Sequence, residues 1–596
     1  MHFGGQQKEV QEQIMDYQMK MNAWLESSLV SEEDKAYIRS QDEDTQKEMF
    51  GSDLHFGTAG MRALLGPGSA RLNLLTVRRA TIGVANFLLA KYGREAAKER
   101  GFAISFDNRH FSKEFRDMAA QVLTQQGFNV FTFRDPHPTP ELSYTVRHLH
   151  CLGGLMLTAS HNPKEYNGYK VYDEEGCQAV YGNIDGLIAE IDKLPDELSA
   201  TYEPIDEAEF GKVTFLDDDD KYDIDFVNKE VATSLYKDVF EGERLTKIVF
   251  TPECGCDVKV GPMALRAAGY EVSTVPGQDF FDPDFTGTPN PNPESEEAYL
   301  AAFAHIKKLN AEGGKFNIIM ATDPDADRMG IAFINSKGEI QRFTGNQTGA
   351  LLIDYILGTL QRRNELPSNG CICNTFVTGA QGAKAASLYN IKVRTTATGF
   401  KYIGDMASRM PAEGDKYLFG YEESYGYLIA DFVRDKDSLQ GIVAIADMCE
   451  YYLRMGKTLD VALADLDRRT GHYFDTQYNI YFKGAGSLDK MNAEIAAIRA
   501  NPFSSLAGKK VKTLSDYLDR KIINFVDHST AEMNLPDIDK TNCLRFDFED
   551  ESFLCIRPSG TEPKVKFYVE IVKDDVTGKK EADAMAEELK AIMHLN

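Results

Sequence analysis

The chain has 596 residues, 43% hydrophobic and 27% charged, an ordinary globular composition that argues against a disordered chain. At about 150 residues per domain it is too long for one core and calls for about four domains. Its formal net charge of −26 repels polyanions at long range. Nucleic acid and anionic membrane are therefore excluded as partners, while a small anionic substrate is still allowed over a local basic cluster.

The first stretch, Met1 to Glu26, is polar with a helical rhythm and lacks the apolar segment and cleavage site of a secretory leader. No later run reaches about 18 consecutive apolar residues, so the expectation is a cytoplasmic protein with no membrane span. Strand-like runs then alternate with amphipathic helices, the pattern of α/β units. The strands include Gly101–Phe106, Gly154–Leu157, Lys247–Phe250 and Phe316–Met320. The run Asp217–Asp220 reads as a solvated connector, and Asn335–Gly338 as a turn between apolar runs. A helix is expected over Asn346–Leu360, with Asn or Gln near its start. Another is expected over Ser438–Arg454, with Asp437 or Ser438 as N-cap and Gly456 past its end. The last segment has a different pattern, in which Leu544–Phe548, Ser552–Ile556 and Val565–Val572 alternate as strands and a helix closes the chain from about Lys580. Four domains follow, at 1–212, 213–336, 337–456 and 457–596: three α/β segments of similar size and a smaller α+β domain. The nine cysteines form no disulfide framework, and Cys254/Cys256 and Cys371/Cys373 lack zinc-knuckle spacing, so buried reduced thiols are expected.

Four polar clusters carry the chemistry. Thr158-Ala159-Ser160-His161-Asn162-Pro163 exposes a serine where the strand Gly154–Leu157 gives way to a loop, a place equally suited to an inert turn serine. Asp323-Pro324-Asp325-Ala326-Asp327-Arg328 follows a strand and sets three carboxylates at alternate positions, suited to a hard cation such as Mg²⁺. A calcium loop would need Gly and Glu at positions six and twelve, where Arg328 and Ile334 stand; a solvated acidic turn is the bland alternative. A phosphoserine would add an anionic oxygen to such a metal, which links Ser160 to the aspartates on chemical grounds. Arg557-Pro558-Ser559-Gly560-Thr561-Glu562-Pro563-Lys564 offers a guanidinium fork, hydroxyls and freed amides, an anion cradle or a plain basic turn. Gly420-Tyr421-Glu422-Glu423-Ser424-Tyr425-Gly426 offers carboxylates and hydroxyls to vicinal sugar hydroxyls, or is a surface loop.

In this order and spacing the four clusters resemble the α-D-phosphohexomutase superfamily, in its long branch, from Phe56-Gly57-Thr58-Ala59-Gly60-Met61-Arg62 through Ser160–Pro163, Asn167-Gly168-Tyr169-Lys170 and Asp323–Arg328 to Arg557–Lys564. The resemblance implies an α/β fold: three similar α/β domains with mixed sheets and a smaller C-terminal α+β domain around a central active-site cleft. It implies a phosphoserine at Ser160 and Mg²⁺ held by Asp323, Asp325, Asp327 and the Ser160 phosphate. Arg62, Lys170 and Arg328 would surround the transferring group. Glu422 and Ser424 would hold sugar hydroxyls, and Arg557, Ser559, Gly560, Thr561 and Lys564 the distal phosphate. Thr398-Gly399-Phe400-Lys401 matches the Gly-aromatic-Lys element, making Lys401, with His161, a candidate for proton transfer. The substrates would be sugar phosphates, with glucose 1,6-bisphosphate as primer. The expected activity is interconversion of glucose 1-phosphate and glucose 6-phosphate. Pentose phosphates, mannose phosphates and bisphosphate synthesis are the alternatives, and a non-catalytic sugar-phosphate binder is the reading from another class. Three positions depart from the common pattern: Ala63, Tyr421, and Thr251-Pro252-Glu253-Cys254-Gly255.

Overall fold

The computed structural model describes residues 17–236, 242–483, 486–535, 540–559 and 563–595. The chain divides into two compact units. The first comprises residues 1–333, 407–409 and 426–450, and the second 334–406, 410–425 and 451–596.

In the first unit a mixed sheet runs Met61–Leu64, Tyr166–Tyr172, Gly154–Leu157, Phe102–Phe106, Val130–Thr132, Val213–Phe215. The Phe102–Phe106 strand is apolar at nearly every position and buried throughout, as a strand covered on both faces must be. It pairs in parallel with Gly154–Leu157 and Val130–Thr132, whereas Tyr166–Tyr172 returns antiparallel to Gly154–Leu157. The helix Leu74–Arg100 opens on a capping box between Asn73 and Thr76 and packs its apolar face, including Val77, Val84 and Leu88, into the core of this sheet. A second sheet orders Met329–Ile334, Ile318–Thr322, Lys247–Thr251, Glu271–Thr274. Its pairing is parallel except where Ile318–Thr322 turns back antiparallel into Met329–Ile334. The aspartate loop is therefore the turn of a hairpin of this sheet.

In the second unit Gly370–Thr375 lies between Lys392–Thr396 and Lys416–Glu422, all parallel. The C-terminal part is an antiparallel sheet, Phe474–Tyr481, Lys564–Ile571, Phe553–Pro558, Leu544–Phe548, Lys509–Asp516, Lys521–Asn524, Thr530–Glu532, packed on the helices Ser487–Ala500 and Asp575–Ile592. The expected α/β and α+β architectures are both present.

Several local expectations shift. The helix expected over Asn346–Leu360 spans Gly345–Arg362, with Asn346 and Gln347 in its first turn and Thr344 as its cap in a capping box with Gln347. At the helix Ser438–Arg454 the cap is Asp437, whose Oδ1 accepts from Leu439 N and Gln440 N. The closing helix begins at Asp575, a turn before Lys580, because Asp574 caps it through Thr577 N. The Asp217–Asp220 run is more than a solvated connector. Asp217 accepts the backbone N–H groups of Arg134 and Asp135, and Lys259 pairs with Asp220. All nine cysteines are buried and free. The expected N-terminal helix is seen over 17–26, and residues 1–16 lie outside the described residues. Among the described residues no helix is long and apolar enough to cross a membrane.

Candidate active site

Ser160 sits just past the strand Gly154–Leu157 with φ +53°, a left-handed backbone conformation uncommon for a non-glycine residue, and its N–H is held by Thr158 Oγ1 at 2.8 Å. The loop around it is pinned by Arg109. That guanidinium donates to the carbonyls of Ser160 and Asn162, both at 2.5 Å, and of Pro163 and Tyr166 at 2.8 and 3.1 Å. Asp107 neutralises it at 3.1 Å, with both side chains inaccessible to solvent. The serine hydroxyl is thereby fixed with only 5% of the residue exposed.

The hydroxyl donates to Asp323 Oδ2 at 2.9 Å and accepts from Arg328 Nη2 at 3.1 Å. Asp323 Oδ1 accepts the backbone N–H groups of Asp327 and Arg328, and Oδ2 also accepts from the Arg328 guanidinium. Ala326, at φ +55°, completes the tight turn, and its small side chain is buried. Gly255 explains how close the neighbouring loop comes: a Cβ there would fall 2.4 Å from Pro324 Cα.

The three carboxylates offer oxygens within 4.8 Å of one another and are nearly inaccessible to solvent. Burial raises the Asp323 carboxyl to about 7 despite the Arg328 charge. Burial and the neighbouring Asp325 also raise Asp327. At Asp325 burial acts the same way but is outweighed by Lys170, then by Lys436 and Arg328, which hold it well below the ordinary carboxylate range. Lys170 Nζ reaches Asp325 Oδ2 at 3.0 Å, from a strand position paired with Met156. Lys436 Nζ reaches Asp327 Oδ2 at 2.9 Å. Asp325 Oδ1 and Asp327 Oδ1 are buried yet accept no hydrogen bond. A polar oxygen is costly in that state unless a cation completes it, so the donor set suits a hard dication.

Arg62, on the strand Met61–Leu64 and paired with Gly168, donates to Asn162 Oδ1 at 3.0 Å. His161 lies beside the serine, its Nδ1 3.3 Å from Ser160 Oγ and also in contact with Arg328 Nη2. The first unit thus brings together Arg62, Ser160, His161, Lys170, Asp323, Asp325, Asp327 and Arg328.

The second unit holds the remaining expected residues. Glu422 is buried at the end of Lys416–Glu422 and accepts the N–H of Gly399, which has φ +121°, at 2.8 Å. Thr398 and Gly399 therefore adjoin Glu422 directly. Lys401 is in the first turn of the helix Phe400–Arg409, with its ammonium 4.9 Å from the Tyr402 ring centre. Ser424 is partly exposed in the turn after Glu423. Tyr421 points the other way: it is inaccessible, stacks on Phe419 at 5.6 Å, and lies against Gly349 and Gly382. This position, which departs from the common pattern, is therefore part of the core. Arg557 is on the strand Phe553–Pro558, and Ser559 N donates to Lys564 O at 2.8 Å across the hairpin. Burial depresses the Arg557 guanidinium, but Tyr568 and Glu423 outweigh it and raise it, so the turn after Glu422 and the hairpin share one electrostatic neighbourhood. Gly560 and Thr561 lie outside the described residues.

Two cations escape a sequence reading. Arg109 belongs to Asp107-Asn108-Arg109, a polar trio directly after a strand, and that placement is the signal that could have found it. Lys436 lies in Arg434-Asp435-Lys436-Asp437, which reads as helix-cap chemistry only.

Four sequence families match in order. "Phosphoglucomutase/phosphomannomutase, alpha/beta/alpha domain I" covers residues 53–197, domain II covers 216–336, domain III covers 344–469, and the C-terminal domain covers 494–588. A phosphoglucomutase of Staphylococcus haemolyticus is 35% identical over 541 residues, covering 91% of this chain and 94% of the relative. One from Staphylococcus aureus is 33% identical over 558 residues, covering 93% and 96%. Among solved structures, a putative phosphomannomutase from Thermus thermophilus aligns with a TM-score of 0.65 at 21% identity, covering 91% of this chain and 99% of that one. The open form of Paramecium parafusin, a phosphoglucomutase, aligns with a TM-score of 0.64 at 18% identity, covering 91% and 94%. At these identities the two structures speak to the fold.

Proposed function

Because this chain belongs to the phosphoglucomutase/phosphomannomutase family, we propose that it interconverts glucose 1-phosphate and glucose 6-phosphate through a phosphorylated Ser160. The observation that carries this reading is the Ser160 hydroxyl at 2.9 Å from Asp323 in a buried triad of carboxylates. In the forward half, a free sugar hydroxyl attacks the phosphorus of phospho-Ser160. An O–P bond forms to the sugar, the P–Oγ bond breaks, and glucose 1,6-bisphosphate results. The bisphosphate then turns end for end, and Ser160 Oγ takes back the opposite phosphoryl group.

The chain's own residues divide the work. Arg328 donates to Oγ and so stabilises the oxygen that leaves phosphorus. Arg62 and Lys170 offer further positive charge to the transferring group. Asp323, Asp325 and Asp327 would hold Mg²⁺ together with a Ser160 phosphate oxygen. When bound, the cation supplies charge withdrawal from the phosphoryl oxygens. Glu422 and Ser424, with Thr398 and Gly399 beside them, are assigned to the sugar hydroxyls. Arg557, Ser559, Gly560, Thr561 and Lys564 are assigned to the distal phosphate. The proton of the attacking hydroxyl goes to Lys401 or His161. Arg328 contacts His161 Nδ1, so that nitrogen is engaged in positioning the ring. Glucose 1,6-bisphosphate is proposed as the primer that loads an unphosphorylated Ser160. We assign the chain boundaries of the four domains as 1–212, 213–336, 337–456 and 457–596.

The test is turnover of glucose 1-phosphate, mannose 1-phosphate and ribose 1-phosphate by the full chain with Mg²⁺ and primer, each product read by phosphorus NMR. Glucose 1-phosphate should be the best of the three. If it is the poorest, the pentose or mannose reading replaces it. Tight binding with no turnover of any would mark a non-catalytic binder.

A further inference from the structure

Behind the aspartate loop, and sharing no residue with it, lies a second cluster of ligand-bearing side chains. His137 precedes the helix Thr139–His148, Glu141 is in that helix's first turn, and Asp223 is on the helix Lys221–Val231. The three offer one nitrogen and two carboxylate oxygens within 4.8 Å of one another, all buried. The His137 ring is stacked on Phe133 at 4.0 Å between ring centres. Its Nδ1 lies 2.9 Å from the Asp135 carbonyl, which can only accept, so Nδ1 carries the proton and Nε2 is turned toward the carboxylates. A backbone carbonyl on the far nitrogen is the usual way a ligating imidazole is oriented.

Nε2 faces Asp223 Oδ1 at 3.3 Å. In a neutral ring these are two acceptors, so something positive must lie between or on them: a proton or a metal ion. Glu141 supplies the independent observation. Its side chain is inaccessible to solvent, and both of its oxygens accept no hydrogen bond. An ion pair between His137 and Asp223 alone leaves this carboxylate without a partner, whereas a cation at the centre of the three engages it. Lys259, at 2.6 Å from Asp223 Oδ2 and 2.7 Å from Asp220, is balanced by that second aspartate.

We propose that His137 Nε2, Glu141 and Asp223 form a second cation site for a borderline transition dication of the zinc(II) class. One imidazole with two carboxylates favours such an ion over Mg²⁺, which takes oxygen ligands. Burial raises Glu141 to about 8. Burial opposes protonation of His137, but Glu141 and Asp223 outweigh it and raise the ring to about 9. The site ties the helix Thr139–His148 to the helix Lys221–Val231. Since Thr139 donates to Asp325 Oδ2 at 3.2 Å, its role is to brace the backbone that carries the aspartate loop.

The experiment uses the full chain expressed with supplemental zinc and exchanged into buffer with excess Mg²⁺, which saturates the aspartate loop. Metal is then counted by elemental mass spectrometry. One zinc per chain is expected in the wild type and in Asp323→Asn. Glu141→Gln and His137→Gln should retain at least about tenfold less. Cobalt-loaded wild type should show an imidazole nitrogen ligand by X-ray absorption, a readout that stands even if the variants do not fold. Zinc absent from the wild type, zinc retained in Glu141→Gln, zinc lost only in Asp323→Asn, or an all-oxygen cobalt shell would each overturn the proposal. None of these outcomes bears on Ser160.

Discussion

Ser160 and Arg109 are joined through the backbone: the arginine donates to the Ser160 carbonyl while the serine's hydroxyl stays turned to Asp323. Residues far apart in sequence thus divide one task. Arg109 fixes where the loop is, and Asp323 and Arg328 fix where the hydroxyl points. The first prediction concerns the hydroxyl. Ser160→Ala should lose mutase turnover by about 10⁴-fold or more, the scale seen when a covalent nucleophile is removed. The purified wild type should carry an added phosphoryl group by intact mass. An alanine variant that still carries it would remove Ser160 from the mechanism.

Arg109 is predicted to act through position and stability. Arg109→Met leaves Asp107 buried without its cation and four carbonyls without their donor. Breaking such a buried pair costs about 3–5 kcal/mol. The thermal midpoint of the full chain should fall. At a temperature where the variant is still folded, kcat should drop while KM for glucose 1-phosphate changes little. A variant with unchanged midpoint and unchanged kcat would reduce Arg109 to a bystander.

The aspartate loop should make activity metal-dependent. Chelation should abolish turnover, and added Mg²⁺ should restore it. Asp325→Asn removes a ligand and leaves Lys170 and Lys436 facing a neutral amide. A fall in kcat of about 10²–10³-fold, the scale of losing one preorganised electrostatic group, is expected, with weaker Mg²⁺ activation. Full activity in the chelated wild type would contradict the assignment.

In the second unit, His472 gives a pH dependence with a defined sign. Its ring is 2.7 Å from Asp467 and 2.9 Å from Asp575, and these contacts raise it to about 10. The folded pKa lies above the ordinary value of about 6.5. Its contribution to stability is therefore complete below about 6.5 and is lost as pH rises toward 10. The ring is partly exposed, so screening keeps the effect small. Urea midpoints of wild type and His472→Gln should differ most near pH 6 and converge near pH 10. Midpoints that diverge with rising pH would reverse the sign and refute the assignment.

How far the sequence reveals the site depends on whether a contact is local. Ser160 and the three aspartates each lie in a short loop directly after an apolar strand, so the chemistry and its placement are written in consecutive residues. Arg109 and Lys436 act across the fold, and nothing adjacent to them announces what they touch. The closing helix starts at Asp575 rather than near Lys580 because Asp574 caps it through Thr577 N, so Gly578 falls inside its first turn. In the fold Gly578 admits Phe474, whose Cβ would lie 2.4 Å from any added methyl group. Tyr421 sits within a motif that reads as sugar-binding, yet strand alternation sends it into the core while Glu422 faces the other side.

The same kind of close approach yields the last prediction. Gly255 belongs to the segment that departs from the common family pattern, and its backbone runs against the aspartate loop: Cys256 N donates to Pro324 O at 2.8 Å. A methyl group on Gly255 would meet three backbone atoms of one residue, at 2.4, 2.6 and 2.8 Å from Pro324 Cα, O and C. No flexible side chain is there to yield, so one of the two loops must move. If the aspartate loop yields, it carries Asp323 and Asp325 on either side of Pro324, and a shift of a few tenths of an ångström spoils a three-carboxylate site before it unfolds a domain. Gly255→Ala should therefore cost about 1–3 kcal/mol of stability by overpacking. It should also raise the Mg²⁺ concentration needed for half-activation, by a larger factor than it raises KM for glucose 1-phosphate. Equal rises in both would place the damage in general unfolding. An unchanged Mg²⁺ requirement in a folded variant would show that the aspartate loop does not depend on this contact.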